Sequence, residues 1–154
     1  MADRTLADPP VTGFNHTGIV VDDLEKMERF YTEILGLQVL RRIDSIAPPG
    51  GDHTAVAGAR RRLVFVGLES DHQIELIRYD HPPAPPGHQR QHQMGTMHVC
   101  FDVADLKRTC KRLEAQGVSL LTEPKFRRIN GQSVGVVYAR DPEGNWLEFI
   151  EGLS

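Results

Sequence analysis

Apolar and polar residues alternate in two short segments of the chain, one beginning at His16 and the other 82 residues later at His98. A period of two is typical of a strand with one buried face. In the first segment the apolar side is formed by Thr17, Ile19 and Val21, opposite His16, Gly18 and Val20. The second segment repeats the pattern, with Val99, Phe101 and Val103 on its apolar side. Each histidine is therefore predicted to face away from the core.

A helical pattern follows each of these strands. From about Leu24 to Leu35 the apolar residues recur on one face, and Gly36 can end the helix in the left-handed conformation. Asp22 and Glu25 are predicted to form the capping pair of this helix. The second copy predicts a shorter helix that ends before Gly117 and has its apolar positions at Leu106, Cys110 and Leu113.

Each half of the chain then closes on an apolar strand that holds one acid, QIELIRY with Glu75 and NWLEFIE with Glu148. The matching order of strand, helix and three strands indicates an internal duplication. The distance from histidine to glutamate is 59 residues in the first copy and 50 in the second. We expect the additional residues of the first copy in the loop around Ala47 to Arg60.

The domain organisation follows from the proline-rich stretch DHPPAPPGHQRQHQ between the copies, whose composition opposes regular structure. We predict an N-terminal tail at 1–12, a first module at 13–80, a linker at 81–94 and a second module at 95–154. A chain of 154 residues suits one domain in which two half-domains share a core.

Two histidines and two glutamates at matching positions are candidate metal ligands, because neutral imidazole and ionised carboxylate suit a borderline divalent ion. The alternation places all of them on the faces away from the helices. If the sheets pair and curl, they converge in one cup and hold one ion per site, which could be nickel, cobalt, manganese, iron or zinc. The ligand set is His16, Glu75, His98 and Glu148, and the candidate substrate-pocket residues are Phe14, Tyr79, Cys100, Tyr138 and Trp146.

Composition narrows the classes of function. Eighteen basic against twenty-one acidic residues give a net charge of -3, which argues against a nucleic-acid partner. No apolar run reaches the roughly twenty residues needed to cross a bilayer, and the polar start lacks a secretory signal, so we expect a cytoplasmic protein without a membrane partner. The spacing of Cys100 and Cys110 indicates neither a disulfide framework nor a thiolate zinc site.

The segments FYTEILGLQVL, FVG followed by IEL, and YARDPEGNWLEF resemble the vicinal oxygen chelate superfamily. This superfamily includes glyoxalase I, methylmalonyl-CoA epimerase, extradiol dioxygenases and the fosfomycin- and bleomycin-resistance proteins. The resemblance runs from about Gly13 to Glu151. It implies an α+β fold of two tandem βαβββ modules in a curled, cup-shaped mixed sheet with the helices outside. It also implies a small-molecule substrate, a homodimer, and a divalent ion bound at the four candidate ligands, with the modules paired either within one chain or across two.

Among the activities of this superfamily, the two carboxylates favour the glyoxalase type. That activity is proton transfer next to a carbonyl through a metal-bound enediolate or enolate, with Glu148 or Glu75 as the base. The resemblance implies that glutathione-using members carry arginine and asparagine where this chain has Val20 and Tyr79, so a glutathione adduct is not the expected substrate.

Two alternative activities stay open. One is an extradiol dioxygenase using Fe(II), with Tyr138 in the place of an active-site tyrosine, although INGQSV before it lacks the family's acid-base histidine. The other is a small-molecule binding protein of the bleomycin-resistance kind, which needs no catalytic metal.

Overall fold

The computed structural model describes residues 11–69, 72–87 and 90–153, which fold into two βαβββ modules. The first module consists of β1 (His16–Val20), α1 (Leu24–Arg29), a π-helical turn (Phe30–Ile34), β2 (Gln38–Ile46), β3 (Arg60–Gly67) and β4 (Gln73–His81). The second consists of β5 (His98–Asp102), α2 (Leu106–Ala115), β6 (Lys125–Ile129), β7 (Gln132–Arg140) and β8 (Trp146–Glu151).

Each module forms a four-stranded mixed sheet in the described part of the chain. The strand orders are β1-β4-β3-β2 and β5-β8-β7-β6. In each sheet the first strand runs parallel to the last, and the remaining pairs are antiparallel. The predicted α+β fold of two βαβββ modules is confirmed, and the last strand of each module lies beside its first. This places the predicted histidine and glutamate of each copy on neighbouring strands.

Equivalent aspartates begin the two helices. The Asp23 carboxylate accepts a hydrogen bond from the Lys26 N–H at 2.9 Å, and Asp105 accepts one from the Arg108 N–H at 2.8 Å. Such caps satisfy backbone donors that have no partner within the helix. The predicted capping pair of Asp22 with Glu25 is therefore wrong, because the cap is Asp23 and the Glu25 carboxylate accepts from Arg62 instead.

The difference in length between the copies lies in the connection of the second and third strands. Residues 47–59 join β2 to β3, whereas Asn130 and Gly131 alone join β6 to β7. Both of these turn residues have positive φ, 50° and 84°, as a two-residue hairpin of the favoured hand requires. The predicted position of the additional residues in the first copy is confirmed.

One hydrophobic core joins the two modules. Its fully buried side chains come from the helices and from the sheet faces beneath them, and the largest are Tyr31, Met27, Leu76, Leu106 and Leu147. Polar contacts also cross between the modules. The Tyr31 hydroxyl donates to the buried Asp141 carboxylate at 3.1 Å, and the Glu143 carboxylate accepts from the Asp22 and Asp23 N–H groups at 2.8 and 2.7 Å. These contacts fix one module against the other.

The ends of the predicted modules differ little from the observed strands. β4 continues to His81, one residue beyond the predicted boundary, and residues 1–10 of the predicted tail lie outside the described residues. None of the helices in the described ranges is long and apolar enough to cross a membrane.

Candidate metal centre

The first module brings His16 and Glu75 together. In the parallel pairing of β1 with β4, Glu75 lies opposite Gly18, two residues along β1 from the histidine. His16 Nε2 lies 3.2 Å from Glu75 Oε2, and the two side chains are 37% and 13% exposed. Both side chains project from the face of the sheet that is turned away from the helix, as the alternation of apolar and polar residues predicted.

Asn15 lies beside the ring nitrogen of His16 that does not face the glutamate. His16 Nδ1 lies 2.7 Å from Asn15 Oδ1 and can donate a hydrogen bond to it in the tautomer that has its proton on Nδ1. In that tautomer the lone pair is on Nε2, which faces Glu75, so a cation between the two groups would be bound by both. Hydrogen bonds of this kind orient histidines in metal sites. Sequence reasoning missed Asn15, whose only signal was an amide beside a candidate ligand.

The second module repeats the arrangement with His98 and Glu148. His98 Nε2 lies 2.9 Å from Glu148 Oε2, and the Glu148 side chain is 15% exposed. Cys100 lies opposite Glu148 on β5, and Tyr138 lies opposite it on β7. Burial, with the negative charge of Glu148, raises the pKa of the Cys100 thiol to about 12. The same two causes, in the same order, raise the pKa of Tyr138.

The two His–Glu pairs do not meet within one chain. Within residues 11–69, 72–87 and 90–153, no group of three or more His, Cys, Asp or Glu side chains is close enough to hold a metal ion. The four predicted ligands therefore lie as two separate pairs, and they do not converge within one copy of these residues. Each pair alone offers two donors, which is half of the predicted set.

A pocket of about 460 Å³ lies between the first strands of the two modules. His98 is the one predicted ligand among its lining residues, and Trp146 forms part of its wall. Trp146 is 8% exposed, and the Arg140 guanidinium lies 4.0 Å from the centre of its ring.

The other residues predicted to line a substrate pocket are distributed over both modules. Cys100 and Tyr138 lie beside Glu148. Tyr79 lies across from Arg61, whose guanidinium is 5.9 Å from the centre of the Tyr79 ring. Phe14 is 95% exposed and contacts His72 edge-on at 6.3 Å between ring centres.

The donor chemistry of the two pairs fits a divalent ion. Each imidazole Nε2 points at a carboxylate oxygen, and both groups are available on an open face. Four such donors are a suitable set for zinc, nickel, cobalt, manganese or iron, with positions left for water or substrate. The fit requires that the two pairs come together.

Known proteins share the sequence and the fold of this chain. The family described as Glyoxalase/Bleomycin resistance protein/Dioxygenase superfamily matches residues 13–149. A lactoylglutathione lyase of Pseudomonas aeruginosa is 28% identical over 153 residues, with 90% of this chain and 81% of the relative covered. A probable lactoylglutathione lyase of Synechocystis sp. is 30% identical over 139 residues, with 90% and 95% covered. A glyoxalase family protein from Bacillus cereus has the same fold, with a TM-score of 0.82 at 22% identity over 97% of this chain and 99% of that one.

Proposed function

Because the chain belongs to the Glyoxalase/Bleomycin resistance protein/Dioxygenase superfamily, we propose that it is a divalent-metal-dependent enzyme of the glyoxalase type. It catalyses proton transfer next to a carbonyl group of a small molecule, as a lyase or an isomerase. The observation that supports this most strongly is the repeated His–Glu contact, His16 with Glu75 and His98 with Glu148, at matching positions of the two modules.

The four side chains of these contacts would hold the ion. An ion bound there would supply positive charge beside the carbonyl oxygen of a substrate, which would lower the barrier to proton removal by roughly several kcal/mol. The imidazoles would offer Nε2, and a hydrogen bond from Nδ1 to Asn15 would favour the His16 tautomer whose Nε2 can bind the ion.

Glu148 and Glu75 are the proposed bases. Both carboxylates are largely shielded from water, at 15% and 13% exposure. Either could therefore accept the proton from the substrate carbon next to the carbonyl without first losing a full hydration shell. Beside Glu148, the Tyr138 hydroxyl and the Cys100 thiol keep their protons at neutral pH because burial and the Glu148 charge raise the pKa of both. These two groups can therefore donate hydrogen bonds to Glu148 or to the substrate.

A second copy of the chain completes each four-ligand site in this proposal. Bringing the two pairs together within one chain would disrupt the contacts of Tyr31 with Asp141 and of Glu143 with the start of α1. In a dimer with two-fold symmetry, the first pair of one copy faces the second pair of the other, which gives two equivalent sites.

Metal binding is the first test. Purified protein is stripped with a chelator, incubated in turn with nickel, cobalt, manganese, iron and zinc, and analysed for bound metal. We expect about one ion per four-ligand site, with most of it lost in His98→Ala because a ligand is deleted. Wild-type protein that takes up none of these ions would contradict the proposal and favour the bleomycin-resistance kind of binding protein.

Mixing two inactive variants tests whether the site is shared between copies. His16→Ala and His98→Ala each damage every site of their own dimer. In a mixed dimer the first pair of one variant and the second pair of the other are both intact, so random mixing of equal amounts restores about one quarter of the wild-type sites. If the pairs meet within one chain instead, mixing restores none.

Solvent exchange tests the chemistry. Metal-loaded wild type, Glu148→Gln and Glu75→Gln are incubated in deuterium oxide with thiol-adduct, hydroxy-carbonyl and acyl-CoA compounds. We expect deuterium to enter the carbon next to the carbonyl in wild type and not in the variant that has lost the base. Wild type that exchanges none of these compounds but cleaves a catechol with oxygen uptake would favour the extradiol dioxygenase.

A glutathione adduct is not the substrate in this proposal, although the two named relatives are lactoylglutathione lyases. The sequence resemblance implies a cation and an amide for glutathione at two positions that hold Val20 and Tyr79 here. Val20 is 50% exposed at the end of β1, and the Tyr79 ring faces Arg61. Turnover of a glutathione hemithioacetal at a rate above every other compound tested would contradict this part of the proposal.

A further inference from the structure

A row of three side chains crosses the first sheet beside His16. Arg41 of β2, Phe65 of β3 and Glu75 of β4 are directly opposite one another in the antiparallel pairing, so they project from the same face. The Arg41 guanidinium carbon lies 3.8 Å from the centre of the Phe65 ring, and the His16 ring meets Phe65 edge-on at 5.6 Å. The row therefore connects a cation to the first His–Glu pair through one aromatic ring.

A bulge in β2 puts Arg41 into this row. The pairing with β3 passes from Val39 opposite Val66 directly to Arg41 opposite Phe65, which leaves Leu40 as the additional residue. Without the additional residue, Leu40 would lie opposite Phe65 and the arginine would face the other way. Bulges re-aim side chains in this manner and are common next to functional sites.

Among the described arginines of this sheet, Arg41 and the exposed Arg60 at the start of β3 have no carboxylate partner. Arg42 pairs with Glu28, Arg61 with Asp52, Arg62 with Glu25 and Asp80, and Arg78 with Asp22 and Asp80. Arg41 instead lies over Phe65, which is only 4% exposed although it does not belong to the shared core. A guanidinium held by its face keeps its N–H edge free for a planar anion.

We propose that Arg41 binds a carboxylate group of the substrate while the substrate's carbonyl lies at the His16–Glu75 pair. The inference rests on the proposed function and names its substrate class, an acidic carbonyl compound. Two strand spacings separate Arg41 from Glu75, so their Cα atoms are roughly 10 Å apart. A substrate that reaches both has its carboxylate several bonds away from the reacting carbonyl.

Nuclear magnetic resonance of the arginine Nε–H groups tests the inference without any metal. Chelator-treated protein is titrated with 4-oxopentanoate, which has a carboxylate and a separate carbonyl, and with its neutral amide. We expect the acid to shift the Arg41 signal saturably and the amide to leave it unchanged. In Arg41→Gln, which keeps a side chain over Phe65 without the charge, binding of the acid weakens by about tenfold or more.

Arg60→Ala is the matched control, because Arg60 is an exposed arginine at the start of β3. We expect this variant to bind the acid as wild type does, and Arg41→Lys to bind with intermediate affinity because it keeps the charge and loses the planar fork. Equal binding of the acid by wild type and Arg41→Gln, or equal binding of acid and amide by wild type, would overturn the inference.

The metal uptake of Arg41→Gln separates this inference from the proposed function. Arg41 is not among the proposed ligands, so uptake should equal that of wild type. Loss of anion binding with normal metal uptake supports both proposals, whereas anion binding at Arg41 in a protein that takes up no metal leaves only the anion site standing. For an active substrate, Arg41→Gln should raise KM for the acidic form with little change in kcat.

Discussion

Asn15 is the residue whose effect on the proposed site is easiest to isolate. Its side-chain oxygen lies 2.7 Å from His16 Nδ1, while Nε2 of the same ring faces Glu75. In Asn15→Ala we expect nickel affinity to fall by about tenfold, because the ring loses the bond that fixes its tautomer and orientation. Calorimetric titration with nickel measures the affinity, and the 15N chemical shifts of the metal-free imidazole measure the tautomer.

Asn15→Asp is the control, since its carboxylate keeps an acceptor next to Nδ1. This variant should retain the Nδ1–H form of His16. An Asn15→Ala protein in which both the tautomer population and the nickel affinity stay at wild-type values would show that the contact has no such role.

Cys100 reports on the charge of Glu148. Its pKa is raised to about 12 by burial and by Glu148, so its thiolate is scarce at neutral pH and its reaction with an alkylating agent should be slow. We expect the rate to increase by about tenfold per pH unit between pH 7 and pH 9, because the thiol is far below its pKa throughout that range. In Glu148→Gln the profile should move to lower pH, because the negative charge beside the thiol is removed while burial remains.

Cys100→Ala identifies which part of the measured reaction comes from this thiol rather than from the buried Cys110. Mass spectrometry of the alkylated peptide gives the rate at each pH. Superimposable profiles for wild type and Glu148→Gln would mean that the glutamate does not act on the thiol.

At the scale of single residues, the sequence predicted the facing of all four proposed ligands, because strand alternation needs no knowledge of neighbouring strands. Asn15 and Arg41 could not be predicted in the same way. The role of Asn15 depends on the rotamer of an adjacent side chain, and the position of Arg41 depends on a bulge that only the pairing of β2 with β3 reveals.

Among the described glycines within strands, Gly135 of β7 has the least room for a side chain. A Cβ atom at Gly135 would lie 2.5 Å from Phe126 Cε1 and 3.0 Å from Leu106 Cδ2. Gly135→Ala should therefore lower the free energy of unfolding by roughly 1–3 kcal/mol, since β6 or α2 must shift to admit the methyl group. Urea unfolding followed by circular dichroism measures the change.

Gly50→Ala provides the comparison for this substitution. Gly50 lies in the β2–β3 connection, and a Cβ there would meet nothing within 4 Å. The free energy of unfolding of this variant should stay close to that of wild type. A similar loss in both variants would show that the contact with Phe126 is not the cause.

The helices show where local patterns stop being informative. The spacing of apolar residues predicted the beginning of α1 and the end at Gly36, whose φ is 83°. It did not predict the π-helical turn from Phe30 to Ile34 or the cap at Asp23. The backbone of Asp22 is instead bonded by Glu143, which comes from the second module and is remote in sequence.

For the whole molecule, the bond from Tyr31 to Asp141 connects the modules through their shared core. Tyr31→Phe should lower the free energy of unfolding by roughly 1.5–3 kcal/mol, the usual net value of a hydrogen bond to a charged group, because the acceptor is a buried carboxylate. Urea curves from circular dichroism, which reports on both modules, and from Trp146 fluorescence, which reports on the second, measure the change.

The two curves should coincide in wild type and in Tyr31→Phe, because one core cannot unfold by halves. Curves with separate midpoints in wild type would contradict the picture of one cooperative unit.

The duplicated architecture could be predicted for the whole molecule because each copy contains the same order of patterns. The relation between the two His–Glu pairs could not be. It depends on how the modules pack, and that packing is fixed by contacts between remote residues such as Tyr31 with Asp141 and Asp22 with Glu143.

The exposed, proline-rich connection from Pro82 to Gly87 has a consequence for the kinetics of folding. It holds two halves that share one core at a fixed, high local concentration, so their docking is a first-order process whose rate does not depend on protein concentration. A chain opened in this segment would instead assemble by a bimolecular encounter. Its stability would then fall on dilution, and the two fragments would behave as a heterodimer with a measurable dissociation constant.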